Sequence, residues 1–180
     1  MPDMKILPTT DHFARGFTLI EILIALVIFS IGLLGLAGME LRGSEGTNTA
    51  YFRSQATLLA NDMAERMHAN RGGVDNDAYM NLDTDGFCTE ANTPNPFCAT
   101  RDGTQGAICT PTQMATFDLY TLACNTRLLP SGRLTVLCND PDADLANGCT
   151  DGSKHTVSVF WSEVSDGTAN TRSVTLAVLP

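Results

Sequence analysis

The sequence predicts an α+β fold in which a long N-terminal helix, apolar in its first half and amphipathic in its second, packs on a small antiparallel β-sheet beside a disulfide-rich loop region. Three observations predict it. The eighteen positions from 22 to 39 carry no charge and are rich in Ile, Leu, Val, Ala and Gly. Phe52, Ala56, Leu59, Met63 and Met67 then recur at helical spacing and form one apolar stripe. Towards the C-terminus, apolar residues alternate with polar ones in the manner of half-buried strands.

At about 1.5 Å per residue the charge-free run extends roughly 27 Å, close to the hydrocarbon thickness of a bilayer. A buried core helix is the alternative, but a run of this length without charge reads as a membrane span. Residues 1–16 are polar, with Lys5, Asp11, His12 and Arg15 and no apolar core. A secretory signal peptide has its apolar region before the cleavage site. Here the small residue Gly16 precedes the apolar run. Removal of residues 1–16 would therefore keep the helix and expose a new amino group on Phe17.

Glu21 needs a reason to sit at the head of this run, because an ionised carboxylate in hydrocarbon costs several kcal/mol unless it finds a partner. The α-amino group of Phe17, with a reference pKa near 8, would be a cation at the same depth. Its own Glu21 lies one helical turn away, and a neighbouring copy displaced along the axis could present its Glu21 instead. Such a pair would set the register of apolar helices packed side by side. The alternative is that Glu21 snorkels to the headgroups.

The next elements follow in order. Gly32, Gly35 and Gly38 are read as permitting close helix packing in a membrane, and Gly43 and Gly46 as points of bending, since each costs roughly 1 kcal/mol of helix propensity relative to alanine. The stripe from Phe52 to Met67 is read as the face that lies on the sheet, with a partner-binding groove as the alternative meaning. Asp62 and Arg66 stand at i,i+4 on another face and can pair. Arg71-Gly72-Gly73 is expected to end the helix in a left-handed cap. Residues 73–111, dense in Asp, Asn, Thr, Gly and Pro, read as an ordered loop pinned by cysteines. A short helix is expected near 112–128, with Met114, Phe117 and Leu128 among its apolar positions. Strands are expected over Arg133–Cys138, His155–Trp161 and Arg172–Leu179, the last two joined by a hairpin turn at Asp166-Gly167.

The 180 residues carry a formal net charge of −9 and a pI of about 4.5. Phosphate contacts need clustered Lys and Arg, so this balance argues against nucleic-acid binding. The six cysteines, Cys88, Cys98, Cys109, Cys124, Cys138 and Cys149, all follow the apolar run and form no C-x-x-C pair, which argues against zinc and for disulfides in an oxidising compartment. Pairing of sequence neighbours is the simplest expectation: Cys88 with Cys98, Cys109 with Cys124, and Cys138 with Cys149. Two acidic loops, Asn81-x-Asp83-x-Asp85-Gly86 and Asp140-x-Asp142-x-Asp144, invite a calcium reading, but Asn92 stands at the twelfth place of the first and Asp151 at that of the second, where a bidentate Glu is required. Both read as solvated loops, so no metal and no cofactor are expected. No nucleophile and base share a recognisable motif, and His68 and His155 are read as surface or capping residues. The chain therefore does not read as an enzyme.

Gly16-Phe17-Thr18-Leu19-Ile20-Glu21 resembles the class III signal of type IV prepilins and type II secretion pseudopilins. The resemblance implies that a membrane aspartyl peptidase cuts between Gly16 and Phe17 and N-methylates Phe17, and that Glu21 guides docking into a growing filament. Ile31-Gly32-Leu33-Leu34-Gly35-Leu36-Ala37-Gly38, the run from Leu59 to Asn70, Asp118-Leu119, Leu129-Pro130-Ser131-Gly132 and Val157-Ser158-Val159-Phe160-Trp161 are similar to the minor pilins called type IV pilus modification proteins, the PilV type. Leu122 departs from that pattern, where a tryptophan is expected, and the cysteine-rich middle is not covered by it. The resemblance implies a pilin-like fold with a leader (1–16), a transmembrane and assembly helix (17–39), an amphipathic half-helix (40–71) and a periplasmic or extracellular head (72–180). Its implied partners are other minor and major pilins, the prepilin peptidase and the inner-membrane assembly platform. It implies a single-pass inner-membrane protein that then enters a pilus at the cell surface, with roles in assembly, adhesion or motility. A type II secretion pseudopilin and a membrane-anchored adhesin or binding module are the alternatives.

Overall fold

Helix α1 (Leu19–Ala69) opens the chain in a computed structural model that describes residues 16–140, 149, 152–165 and 167–180. It is followed by α2 (Arg71–Asp75), β1 (Leu82–Asp83), a 3-10 turn at Glu90–Asn92, α3 (Pro111–Thr126), β2 (Arg133–Asn139), β3 (Lys154–Ser165) and β4 (Thr168–Val178). The four strands form one antiparallel sheet in the order β1-β2-β3-β4. The fold is thus α+β, a long N-terminal helix on a four-stranded antiparallel sheet, with three disulfides. Packing divides the chain after Ser44 into two units.

In the unit from Glu45 onward, the expected stripe forms the core face of α1. Ala56, Leu59, Met63 and Met67 are buried, joined by Ala60 and Ala64, and Phe52 packs against them at the margin. Opposite them stand Leu134 and Val136 of β2, Val157, Val159 and Trp161 of β3, and Val178 of β4. Cross-strand pairs share a sheet face, so Val136↔Val157↔Leu176 and Leu134↔Val159↔Val174 form rows on the side of the helix. The outer side carries Thr135↔Ser158↔Thr175.

Helix α3 begins as its sequence dictates. Thr110 caps it, accepting from the Gln113 N–H at 3.3 Å, while the Gln113 side chain accepts from the Thr110 N–H at 2.9 Å, and Pro111 occupies the first turn. Ala115, Leu119 and Leu122 are its buried apolar positions together with Ala123. Leu122, at the position where the resemblance leads one to expect a tryptophan, is fully buried in the core. The helix ends at Thr126, so Leu128 is exposed and Leu129 takes the core position instead. Gly132 lets the chain turn tightly into β2, since a Cβ there would lie 2.0 Å from the Thr126 carbonyl oxygen.

Several expectations are corrected. The helix does not end in a left-handed cap at Gly72-Gly73, because the Asn70 carbonyl accepts from the Gly73 and Val74 N–H groups and the chain continues into α2. Gly73 is instead a close-approach glycine. A Cβ there would meet the Asn70 amide at 2.5 Å and the Tyr79 ring at 2.9 Å. The span 73–111 contains β1 and the 3-10 turn rather than loop alone. Both C-terminal strands start or end beyond their expected limits, β3 running to Ser165 and β4 starting at Thr168. Their two-residue connection includes Gly167 at φ 74°, while Asp166 lies outside the described residues.

The disulfides are Cys88–Cys124, Cys98–Cys109 and Cys138–Cys149. Only the last matches the neighbour-pairing expectation. Cys109 and Cys124 flank almost the whole of α3, which at about 1.5 Å per residue holds them roughly 20 Å apart, far beyond a disulfide's reach. Cys124 therefore reaches back to Cys88, with Cα atoms 4.9 Å apart, and Cys98 closes on Cys109 around a turn bridged by Arg101 and Thr104. The sequence separations are 36 and 11. Loop-closure entropy then predicts that replacing Cys88 and Cys124 by serine costs about 4 kcal/mol and replacing Cys98 and Cys109 about 3 kcal/mol. Denaturant unfolding of the two double variants measures the difference.

Candidate functional site

Gly16, Phe17 and Thr18 lead into α1 and are exposed. The Thr18 carbonyl accepts from the Glu21 and Ile22 N–H groups at 3.1 and 3.3 Å, which starts the helix at Leu19. Thr18 and Glu21 have the T-x-x-E spacing of a capping box, a further local signal for a helix start at this point. Glu21 lies in the first turn, where a carboxylate also meets the positive end of the helix dipole. From Leu19 to Leu41 every large apolar side chain is exposed, among them Leu23, Val27, Phe29 and Leu34. The apolar window of this helix is long enough to cross a membrane and none of it is buried by the described residues. A Cβ at Gly32, Gly35 or Gly38 would meet no atom within 4 Å, so the bareness of these glycines serves no intrachain contact among the described residues.

The unit from Glu45 onward holds a polar network that joins two of the separate sequence patches. Arg66 Nε donates to Asp62 at 2.8 Å, and its Nη1 donates to Asp118 at 2.8 Å. The Tyr79 hydroxyl donates to the other Asp118 oxygen at 2.5 Å, and Asn70 Nδ2 donates to Tyr79 at 3.0 Å and to the Pro111 carbonyl at 2.7 Å. Asp118 is buried at 3% exposure, so this ion pair is largely removed from water. Burial works against the Arg66 charge, but the hydrogen bonds to Asp62 and Asp118 outweigh it and raise its pKa. Burial and the bond to Asp118 push the Tyr79 phenol well above its usual range, which keeps it a donor. The spacing of Asp62 and Arg66 makes their pairing legible in the sequence, but the meeting of Arg66 with Asp118 across 52 residues is tertiary.

At the other end of the sheet, Trp161 Nε1 donates to Glu163 at 2.7 Å, and Thr49 of α1 and Arg172 of β4 approach the second Glu163 oxygen at 3.4 and 3.5 Å. His68 is exposed, as expected, whereas His155 is a buried strand residue and not a surface one. Its Nδ1 stands 3.1 Å from the Ser153 carbonyl and its Nε2 faces Cys149 Sγ at 3.9 Å. Cys138, Cys149 and His155 cluster closely, but both sulfurs are committed to a disulfide. Of the first acidic loop, Asp83 is paired with Arg133, which holds its carboxyl below the ordinary value. Asp142 and Asp144 of the second lie outside the described residues, and its Asp140 accepts from Ser153 at 3.0 Å.

Removing one partner of a buried pair strands the other, so Arg66→Ala should cost on the order of 3 kcal/mol in urea unfolding. Asp62→Ala, which removes the more exposed of the two Arg66 partners, should cost no more than about 0.5 kcal/mol. Burial lowers the His155 pKa from its ordinary value of 6.5. As pH falls the unfolded chain takes the proton first, so stability should decline below about pH 6.5 and be unaffected by this group above it. Thermal midpoints between pH 7.5 and 5 check this, and His155→Gln should flatten the profile.

The family model for the prokaryotic N-terminal methylation motif matches residues 12–37, and that for the type IV pilin Tt1218 matches residues 38–120. No curated protein and no solved structure matches the chain. Pilin families are structural subunits that associate with other pilins and the pilus machinery. The methylation motif, the uncovered apolar helix that fits an N-terminal membrane anchor, and the helix-on-sheet head with its disulfides agree: the chain is a type IV prepilin-like protein.

Proposed function

We propose that the chain is a minor pilin of the PilV type, cleaved between Gly16 and Phe17 by the prepilin peptidase, N-methylated on Phe17, and incorporated into a type IV pilus during its assembly or priming. The observation that carries this reading is the direct joining of the methylation motif to a helix whose apolar surface is bare among the described residues. Water rejects such a surface, and a bilayer or a bundle of like helices accepts it. Residues 1–16 are the leader, 17–39 the membrane and assembly helix, 40–71 the amphipathic half, and 72–180 the head, held in the periplasm before incorporation and at the cell surface after it. The Phe17 amine meets Glu21 of a neighbouring subunit, and Gly32, Gly35 and Gly38 let the helices approach closely. The subunit catalyses nothing.

The PilV-type assignment over a secretion pseudopilin is supported by the contact between α1 and α3. Arg66 and Asp118, from the two patches that resemble that group, meet in the ion pair that ties α1 to α3. N-terminal peptide mass spectrometry on protein from its own membrane, with and without the prepilin peptidase, tests the processing. An N-methylated Phe17 that depends on the peptidase is expected, and a persistent leader would leave the anchored binding module as the better reading. Glu21→Gln should leave cleavage and membrane insertion intact while removing the subunit from sheared pili on immunoblots.

A further inference from the structure

The sheet has two very different margins. At one, β1 is two residues long and ends the sheet quickly. At the other, β4 presents eleven residues, and among the described residues no strand lies beyond it. Its pairing with β3 runs one-to-one from Val178 to Thr168 without a bulge. The strand contains no proline and no glycine, and Arg172 is its single charge. Soluble proteins normally blunt such a margin with prolines, bulges, lysines or brevity, because a long regular edge is a template for another strand. Of the known devices the strand carries one inward-facing charge, Arg172, which is drawn to Glu163 of β3, and Val174 and Leu176 on the same face remain half-exposed.

Two arguments identify what the edge takes. The chain associates with other pilins, so strand-bearing subunits are at hand. A second copy of β4 is a poor occupant, because the strand is polar in one half and apolar in the other. On the helix-side face, Thr168, Asn170 and Arg172 are followed by Val174, Leu176 and Val178. Full antiparallel self-pairing centred on Ser173 would set Arg172 against Val174, Asn170 against Leu176 and Thr168 against Val178. Cross-strand neighbours stabilise a sheet when their chemistry matches, and here every pair on that face mismatches.

We infer that the free edge of β4 adds an antiparallel strand from a different pilin subunit, one apolar where it faces Val174–Val178 and polar where it faces Thr168–Arg172. Main-chain hydrogen bonds would supply the attraction and the polar-to-apolar gradient the register. The inference rests on the pilin reading and adds a second contact to the one made by the N-terminal helices.

The test places a photo-crosslinking amino acid at Ala177, exposed on the outer face of β4, in full-length protein in piliated cells, with a second probe at Leu34 on the apolar helix. The expected result is a covalent adduct from each position to a pilin subunit, the Ala177 adduct being to a different pilin. The double variant Thr171→Lys and Ser173→Lys, two exposed outer-face positions, should abolish the Ala177 adduct, leave the Leu34 adduct, and leave the thermal midpoint of the purified protein unchanged. An adduct from Leu34 but none from Ala177 overturns the edge proposal while the pilin reading stands. No pilin adduct from either position overturns both. An Ala177 adduct to a second copy of this chain or to a protein that is not a pilin, or one that survives the lysine variant, also overturns the proposal.

Discussion

Helix α1 carries two apolar surfaces, and the described residues bury only one of them. From Ala56 to Met67 the apolar stripe is absorbed by the sheet and α3. From Leu19 to Leu41 nothing in the described chain covers the side chains. At about 25 cal/mol per Å² of apolar surface, leaving a run of this size in water is prohibitive. A bilayer or the helices of like subunits would accept such a surface, and Glu21 lies in the first turn of the helix that presents it.

The unit from Glu45 onward answers a different demand, that of a small domain with a modest core. Its apolar cluster is reinforced by three disulfides and by the Arg66–Asp118–Tyr79 network, which links α1, the following loop and α3. Small domains bury a lower fraction of their surface and so rely on such staples. The Cys88–Cys124 bridge and the Arg127 hydrogen bond to the Cys88 carbonyl anchor the irregular segment to the helix that its sequence most clearly specifies. The same sheet that supplies the core ends in a long regular strand, so the element that completes the fold also leaves the longest open strand edge among the described residues.

Local pattern carries some elements a long way. The stripe, the Asp62–Arg66 pair and the alternation of Val157, Val159 and Trp161 are legible because they depend on spacing within one helix or strand. The two-residue β1 is not, since Leu82 and Asp83 are a strand only by virtue of Val136 and Thr135 beside them. Gly72 and Gly73 mislead for a similar reason. Their composition suits a left-handed cap, but Gly73 is required by the Tyr79 ring pressed against it. His155 begins a strand in sequence, and its burial depends on which sheet face that register turns inward.

The sequence by itself determined the candidate assembly segment, because Gly16, Phe17, Glu21 and the charge-free run are contiguous and their chemistry needs no tertiary partner to be recognised. It also determined the fold class, through periodicities of two and of about 3.6 residues. Only the tertiary structure decided the disulfide pairing, because the rigid length of α3 forbids the neighbours Cys109 and Cys124 from meeting and brings Cys88 to Cys124 instead. Only it decided that Arg66 meets Asp118, and that β4 is the long strand at a margin of the sheet. These are contacts between residues far apart in the chain, where spacing carries no signal and packing geometry alone chooses the partner.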